Sequence, residues 1–368
     1  MPRTRLPRLR RLLLELIAPA PLDTFPVGLT EQEWTAIDAM AEQHRLQPLL
    51  HYRRGEDGRI PALYRDGWAE ARRTAALHSL AFRAELLAMT HRLTGGGIAT
   101  VVMKGGALAW SVWPEPSLRP MRDLDLLLRD PAQADAAWGV LRASGYTLGK
   151  PFQGNVDGKE MAELVSPVGV AVELHRNAWA ASSEAQRIMP AGYEGMAARA
   201  VPSADGVLVP QAQDMLAHLV VHAAYSHWFD CGPLVLGDVA YLLEHETFDW
   251  PQVRNRARRE GWEKGLDLVL AIVARYWGPV PTQFAAPPEL VDAAPDLMLQ
   301  DLDHRRASLL VAEWHSRGGA IGRVAAHAGN PGEMIRKAIT RMGEWTDAEV
   351  RQTARSQIWL RDWLAGDA

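Results

Sequence analysis

Arg119-Pro120-Met121-Arg122-Asp123-Leu124-Asp125-Leu126-Leu127-Leu128 is the stretch on which the fold of this chain turns. Arg122–Leu128 reads as a short strand. Side chains alternate faces along a strand, so Asp123 and Asp125 project from one side and Leu124 and Leu126 enter a core on the other. Two carboxylates roughly 6–7 Å apart on one face repel each other unless a cation lies between them. Hard divalent cations such as Mg²⁺ take such oxygen ligands, usually through few carboxylates plus substrate phosphates. An isolated Asp-x-Asp also describes a solvated strand face, so the surroundings decide.

Upstream, Ile98–Met103 (IATVVM) is an apolar, β-branched run of strand length that leads into Lys104-Gly105-Gly106 and a helix over residues 105–113. Strand, glycine pair and helix form an anion cradle, because glycines let the backbone approach a phosphate that the free amides at the helix start face. The GxxxxGK[ST] spacing of a Walker loop is absent, and a tight turn is the plainer account of the two glycines. Downstream, Glu160–Val165 and Val170–His175 flank Pro167-Val168-Gly169 and read as a β-hairpin. Alternation there sets Ala171, Glu173 and His175 on one face. A third carboxylate on a neighbouring strand is what a two-metal site needs, and an exposed hairpin residue is the alternative.

This order of parts resembles the nucleotidyltransferase superfamily that includes DNA polymerase β. There a glycine-rich turn after the first strand precedes Asp-x-Asp on the second strand and a third acid on a later one. More narrowly, Met103-Lys104-Gly105-Gly106-Ala107-Leu108-Ala109 followed by Arg119 to Leu128 is similar to a little-characterised bacterial nucleotidyltransferase family. That family also has a strand ending in acid-Leu-His, here Glu173-Leu174-His175, and a helical stretch with His and Asp, here His218, His222 and Asp238. The likeness spans residues 95–245 and implies transfer of a nucleoside monophosphate from an NTP to an acceptor, releasing pyrophosphate. It implies that Asp123, Asp125 and Glu173 are catalytic and hold two Mg²⁺ ions. Lys104, Gly105, Gly106 and Arg119 then hold the β and γ phosphates, with His222 and Asp238 in the nucleotide cleft. The acceptor stays open: a small molecule, a peptide or protein, or RNA. The spacer between Gly106 and Asp123 is longer than the superfamily's usual one.

Arginine grips phosphate bidentately, whereas lysine acts as a point charge, so Arg119 and Lys104 are the favoured phosphate contacts. Arg122 alternates away from Asp123 and is disfavoured. Asp214, His218, His222 and Tyr225 share one helical face that fits a cleft wall, with Tyr225 near a base, or an ordinary polar stripe. Two rivals stand: a non-catalytic nucleotide-binding or regulatory protein on the same fold, and a metal hydrolase built on His218, His222 and Asp238. Arg254, Arg256, Arg258 and Arg259 read as a solvated helix face in preference to an RNA contact.

Around this segment the chain reads as helical, then mixed, then helical. The expected fold is α+β: a small mixed sheet at residues 95–210 between helical regions at 1–94 and 211–368. Thr30 with Glu33 is a capping-box pattern opening a helix, and a long helix from about Leu63 to Leu93 stops at Gly95-Gly96-Gly97. Asp130-Pro131 opens a helix to about Ala143, and Val207–Val209 adds a short strand. Later helices are expected at about 211–228, 233–246, 249–259, 261–277, 298–316, 331–343 and 346–365, with a proline-rich linker at 278–290. The 40 basic and 44 acidic residues leave a formal charge of −4, which gives no reason to expect a DNA-binding protein. One cysteine, Cys231, excludes an internal disulfide and a cysteine zinc cluster and fits a cytoplasmic location. The arginine-rich start, interrupted at Glu15, reads as a basic amphipathic helix and not as a secretory signal. No segment reads as membrane-spanning.

Overall fold

The structure is a computed structural model that describes residues 6–20, 28–149, 161–178, 193–300 and 348–366. Four helices come first: α1 (Leu6–Ile17), α2 (Glu31–Gln43), α3 (Gln47–Arg54) and α4 (Ala62–Gly95). The capping box is present, with the Glu33 amide donating to Thr30 Oγ1 at 3.3 Å and the Thr30 amide to Glu33 Oε2 at 2.9 Å. The basic amphipathic helix is α1. Its leucines from Leu9 to Leu16 are buried, and Arg10 is buried with them, donating to Asp296 and to the Leu299 carbonyl at 3.1 Å each.

The mixed segment comprises β1 (Thr100–Val102), α5 (Lys104–Ser111), β2 (Asp123–Leu128), α6 (Ala134–Ala143), β3 (Thr147–Leu148), β4 (Leu164–Val165), β5 (Ala171–His175), α7 (Tyr193–Ala198), β6 (Val201–Pro202) and β7 (Leu208–Val209). These strands form one sheet of order β3-β4-β5-β2-β1-β7-β6. β2 lies at its centre, antiparallel to β1 and parallel to β5, and β7 runs parallel to β1. Alternation along β2 is as expected. Leu124, Leu126 and Leu128 join the main core, while Leu127 packs with Val101 and Met103 on the other face. Gly169, at φ 84°, supplies the left-handed residue of the β4–β5 turn.

Among the described residues six helices follow: α8 (Ala212–Val221), α9 (Leu234–His245), α10 (Trp250–Glu260), α11 (Glu263–Tyr276), α12 (Pro288–Met298) and α13 (Ala348–Ala365). A mixed sheet flanked by helices is the architecture expected from sequence. Three details differ. The helix after Asp130 starts at Ala134, behind a 3₁₀ turn at Pro131–Gln133. The helix expected to reach 228 gives way to a π turn at His222–Ser226. The expected linker ends in α12, because Pro287 and Pro288 occupy positions at a helix start that need no amide donor. Glu160 and the helices expected at 331–343 and over most of 298–316 lie outside the described residues. Among the described residues, no helix is long and apolar enough to cross a membrane.

Candidate active site

Register builds the acidic centre. In the β2–β5 ladder Asp123 lies opposite Ala171, Asp125 opposite Glu173, and Leu127 opposite His175. Glu173 is therefore the direct cross-strand neighbour of Asp125 on the same face. Ligand atoms of Asp125, Glu173 and His175 lie within 4.8 Å of one another, a grouping able to hold a metal ion. Asp123 lines the same cavity outside that trio. His175 is the residue that sequence reasoning left out: it shares the Glu173 face, but a lone buried histidine reads as ordinary core.

Asp125 is the hub. Lys104 Nζ and His175 Nε2 donate to its Oδ1 at 2.7 and 2.8 Å, and His175 Nε2 is also 3.6 Å from Glu173 Oε2. Burial disfavours the Asp125 carboxylate, but Lys104 and His175 outweigh it and hold the group well below the usual range. Burial likewise disfavours a charged Lys104, yet Asp125, helped by Asp123 and Glu173, keeps the ammonium above its ordinary value. Asp123 lacks such a partner. Burial and the charges of Asp125 and Glu173 push it up to about 6.

Lys104 opens α5 with a left-handed backbone, φ 46°. A non-glycine residue there carries a cost of roughly 1–2 kcal/mol, the kind of strain that collects at functional positions. No side chain caps α5, so its first-turn amides remain available to an anion. The two glycines divide the work. Gly105 lines the cavity, and a Cβ there would fall 2.9 Å from Met121 Cγ. Gly106 is turned to the sheet, where a Cβ would fall 2.8 Å from Val102 Cγ1. Its lack of a side chain lets α5 sit on β1, and Gly106 shares the cradle only through its backbone in the first turn of α5.

Arg119 and Asp238 face the cavity as a pair. Arg119 Nε and Nη2 donate to Asp238 at 2.7 and 2.8 Å, and Nη1 donates to the Pro120 carbonyl at 3.3 Å. Trp113 Nε1 donates to the same carboxylate at 2.8 Å. Asp238 is thus occupied in orienting Arg119, a role the sequence did not reveal.

The polar stripe on α8 divides. His222 lines the cavity, and His218 stacks on it behind, with ring centroids 5.9 Å apart. Asp214 pairs with Arg199 and Arg256. Tyr225 does not line the cavity; its hydroxyl accepts from the Gly265 amide at 3.0 Å. Among the described residues the group able to hold a metal excludes His218, His222 and Asp238, so the hydrolase arrangement does not assemble. Arg254, Arg256 and Arg258 are all paired with acids, which accounts for that basic helix without RNA. Burial, with Asp230 nearby, pushes the Cys231 thiol up to about 12, so it is no nucleophile.

These residues enclose a cavity of about 340 Å³. Two further arginines line it: Arg45, from the turn after α2, and Arg122, at the start of β2. Arg122 precedes the strand, so the alternation that argued against it does not apply.

The pattern of a family described as an uncharacterised nucleotidyltransferase matches residues 30–278. No curated protein matches. Among solved structures, an antigenic nucleotidyltransferase-like protein from Paracoccidioides brasiliensis is similar over 60% of this chain and 94% of its own, with 15% identity and a TM-score of 0.35.

Proposed function

Given that the chain belongs to the uncharacterised nucleotidyltransferase family, we propose that it transfers a nucleoside monophosphate from an NTP to an acceptor hydroxyl or comparable nucleophile, releasing pyrophosphate. The observation that carries this is the register pairing of Asp125 with Glu173, beside His175, in a cavity walled by cationic side chains. The order of glycine-started helix, Asp-x-Asp strand and third acid supports the finer placement with the DNA polymerase β-like superfamily.

The donor set fits a hard divalent cation. Two carboxylates and an imidazole converge within 4.8 Å, and an ammonium already rests on Asp125 at 2.7 Å. Asp123, Asp125 and Glu173, joined by His175, would hold two Mg²⁺ ions. Bound there, they supply charge neutralisation on the phosphates and a more acidic attacking hydroxyl. The chain does the rest by positioning. The uncapped amides at the start of α5, with Lys104 beside them, face the phosphates, and Asp238 keeps Arg119 turned into the cavity. Glu173, half-buried, is placed to take the acceptor's proton as the new oxygen–α-phosphorus bond forms and the bond to the β-phosphate oxygen breaks. No covalent enzyme intermediate is required.

The test is incubation of the protein with each labelled NTP, Mg²⁺ and cell extract, followed by identification of what becomes labelled. Pyrophosphate release should fall roughly 100-fold or more in Asp125→Asn and in Glu173→Gln while the circular dichroism spectrum is kept. NTP binding with no pyrophosphate release in any extract would favour the non-catalytic alternative.

A further inference from the structure

Two of the four lysine and arginine side chains that line the acidic cavity are already neutralised. Lys104 is paired with Asp125, and Arg119 with Asp238. Arg45 and Arg122 are different: both line the cavity, and neither side chain has a hydrogen bond or ion pair among the described residues. The Nε and Nη1 atoms of Arg45 are shielded from solvent yet unbonded. A guanidinium cannot shed its proton to escape such a place, so an unbonded one away from water is waiting for an acceptor.

The backbone around Arg45 points the same way. The Leu46 amide donates to the Ala41 carbonyl at 2.7 Å and the Arg45 amide to the Glu42 carbonyl at 3.0 Å, the Schellman pattern that ends α2. Arg45 holds its left-handed position, φ 57°, where glycine is usual. An arginine therefore stands where the local fold favours no side chain, and its charged end reaches the cavity. Burial and the nearby charges of Arg122 and Arg119 push it down to about 10. Arg45 also lines a second cavity of about 340 Å³ against α4, so it stands at the junction of the two.

We propose that Arg45 and Arg122 form a polyphosphate subsite that takes the terminal phosphates of the nucleotide, in the cavity that the metal-binding acids also line. This rests on the nucleotidyl-transfer reading for the identity of the ligand but not for the existence of an anion site. Phosphate oxygens match the forked donors of both guanidiniums and supply the acceptors that the Arg45 side chain lacks among the described residues. The subsite draws on the turn after α2, well outside the strand motif, so the N-terminal helices complete the substrate site.

The probe is inorganic tripolyphosphate, titrated calorimetrically into the full chain with and without Mg²⁺, alongside each NTP and its monophosphate. Arg45→Gln should weaken tripolyphosphate binding about tenfold or more and shrink the preference for NTP over monophosphate to match. Arg45→Lys should fall between, and Arg122→Gln should lose several-fold. Because Arg45→Gln removes an uncompensated charge, its melting temperature without ligand should equal or exceed that of the parent protein. Wild-type affinity for tripolyphosphate in Arg45→Gln would overturn the proposal. So would an unchanged NTP-to-monophosphate ratio, which would assign the arginine to an anionic acceptor. Loss of tripolyphosphate binding in Arg45→Gln, with no pyrophosphate released by the parent protein, would uphold the subsite and remove the transfer reaction.

Discussion

Lys104→Met separates the two jobs of the lysine, since it should harm the metal-free protein and help the metal-bound one. The ammonium lies 2.7 Å from Asp125 Oδ1, with side-chain exposures of 15% and 7%. Removing one member of a buried ion pair costs about 3–5 kcal/mol, because the remaining charge is left uncompensated. Here His175 still donates to Asp125 at 2.8 Å and the cavity admits water, so the lower end applies. About 3 kcal/mol of destabilisation is expected in EDTA. The same deletion removes a positive charge that a divalent cation must displace. Metal affinity should therefore rise about tenfold, which is about 1.4 kcal/mol. At a metal concentration 100 times the variant's Kd, linkage returns about 2.7 kcal/mol to the variant but about 1.4 kcal/mol to the parent as well, so saturating Mg²⁺ or Mn²⁺ should recover about half of the deficit. Urea unfolding in EDTA and in metal, with Mn²⁺ binding followed by electron paramagnetic resonance, measures both halves. A variant that is neutral in EDTA and binds Mn²⁺ no better than the parent would refute the view that Lys104 stands in for the metal.

Asp123, raised from 3.8 to about 6 chiefly by burial and its acidic neighbours, gives a pH prediction of defined sign. Between those values the folded chain holds a proton at this position that the unfolded chain has lost, so its contribution to stability declines as pH rises through the window and stays low above 6. Asp123→Asn should gain on the parent protein from pH 4 to 6 and then plateau, in urea midpoints measured without metal; a flat difference across that range would dismiss the assignment. Gly106→Ala should destabilise by about 1–3 kcal/mol, since its Cβ would fall 2.8 Å from Val102 Cγ1. Gly105→Ala should instead disturb the Arg119 loop, appearing in ligand binding more than in the urea midpoint.

The parts that were legible in the sequence obey short-range periodicity. Alternation along Asp123–Leu128 and Val170–His175 places the acids on one face, and composition marks the glycine-started helix. What sequence reading missed depends on distance along the chain. The partnership of Asp238 with Arg119 and Trp113 joins residues more than a hundred positions apart. Arg45 belongs to a helix end with no link in pattern to the Asp-x-Asp strand. His175 was on the correct face, but a histidine 1% exposed gains meaning only when Asp125 and Glu173 are seen beside it. The first turn of α12 was assigned to a linker because prolines that start a helix look in composition like prolines that prevent one.

The pairing of β2 with β5 also sets which kinds of sequence change this centre tolerates. Asp125 and Glu173 meet because they are counted into place, rung against rung, from the turn at Gly169. A single inserted codon between that turn and Glu173 would put a hydrophobic side chain opposite Asp125 and bury the glutamate among leucines. Exchanges of residue type in the surrounding turns leave the count intact. The centre is thus forgiving of substitution and brittle to changes of length.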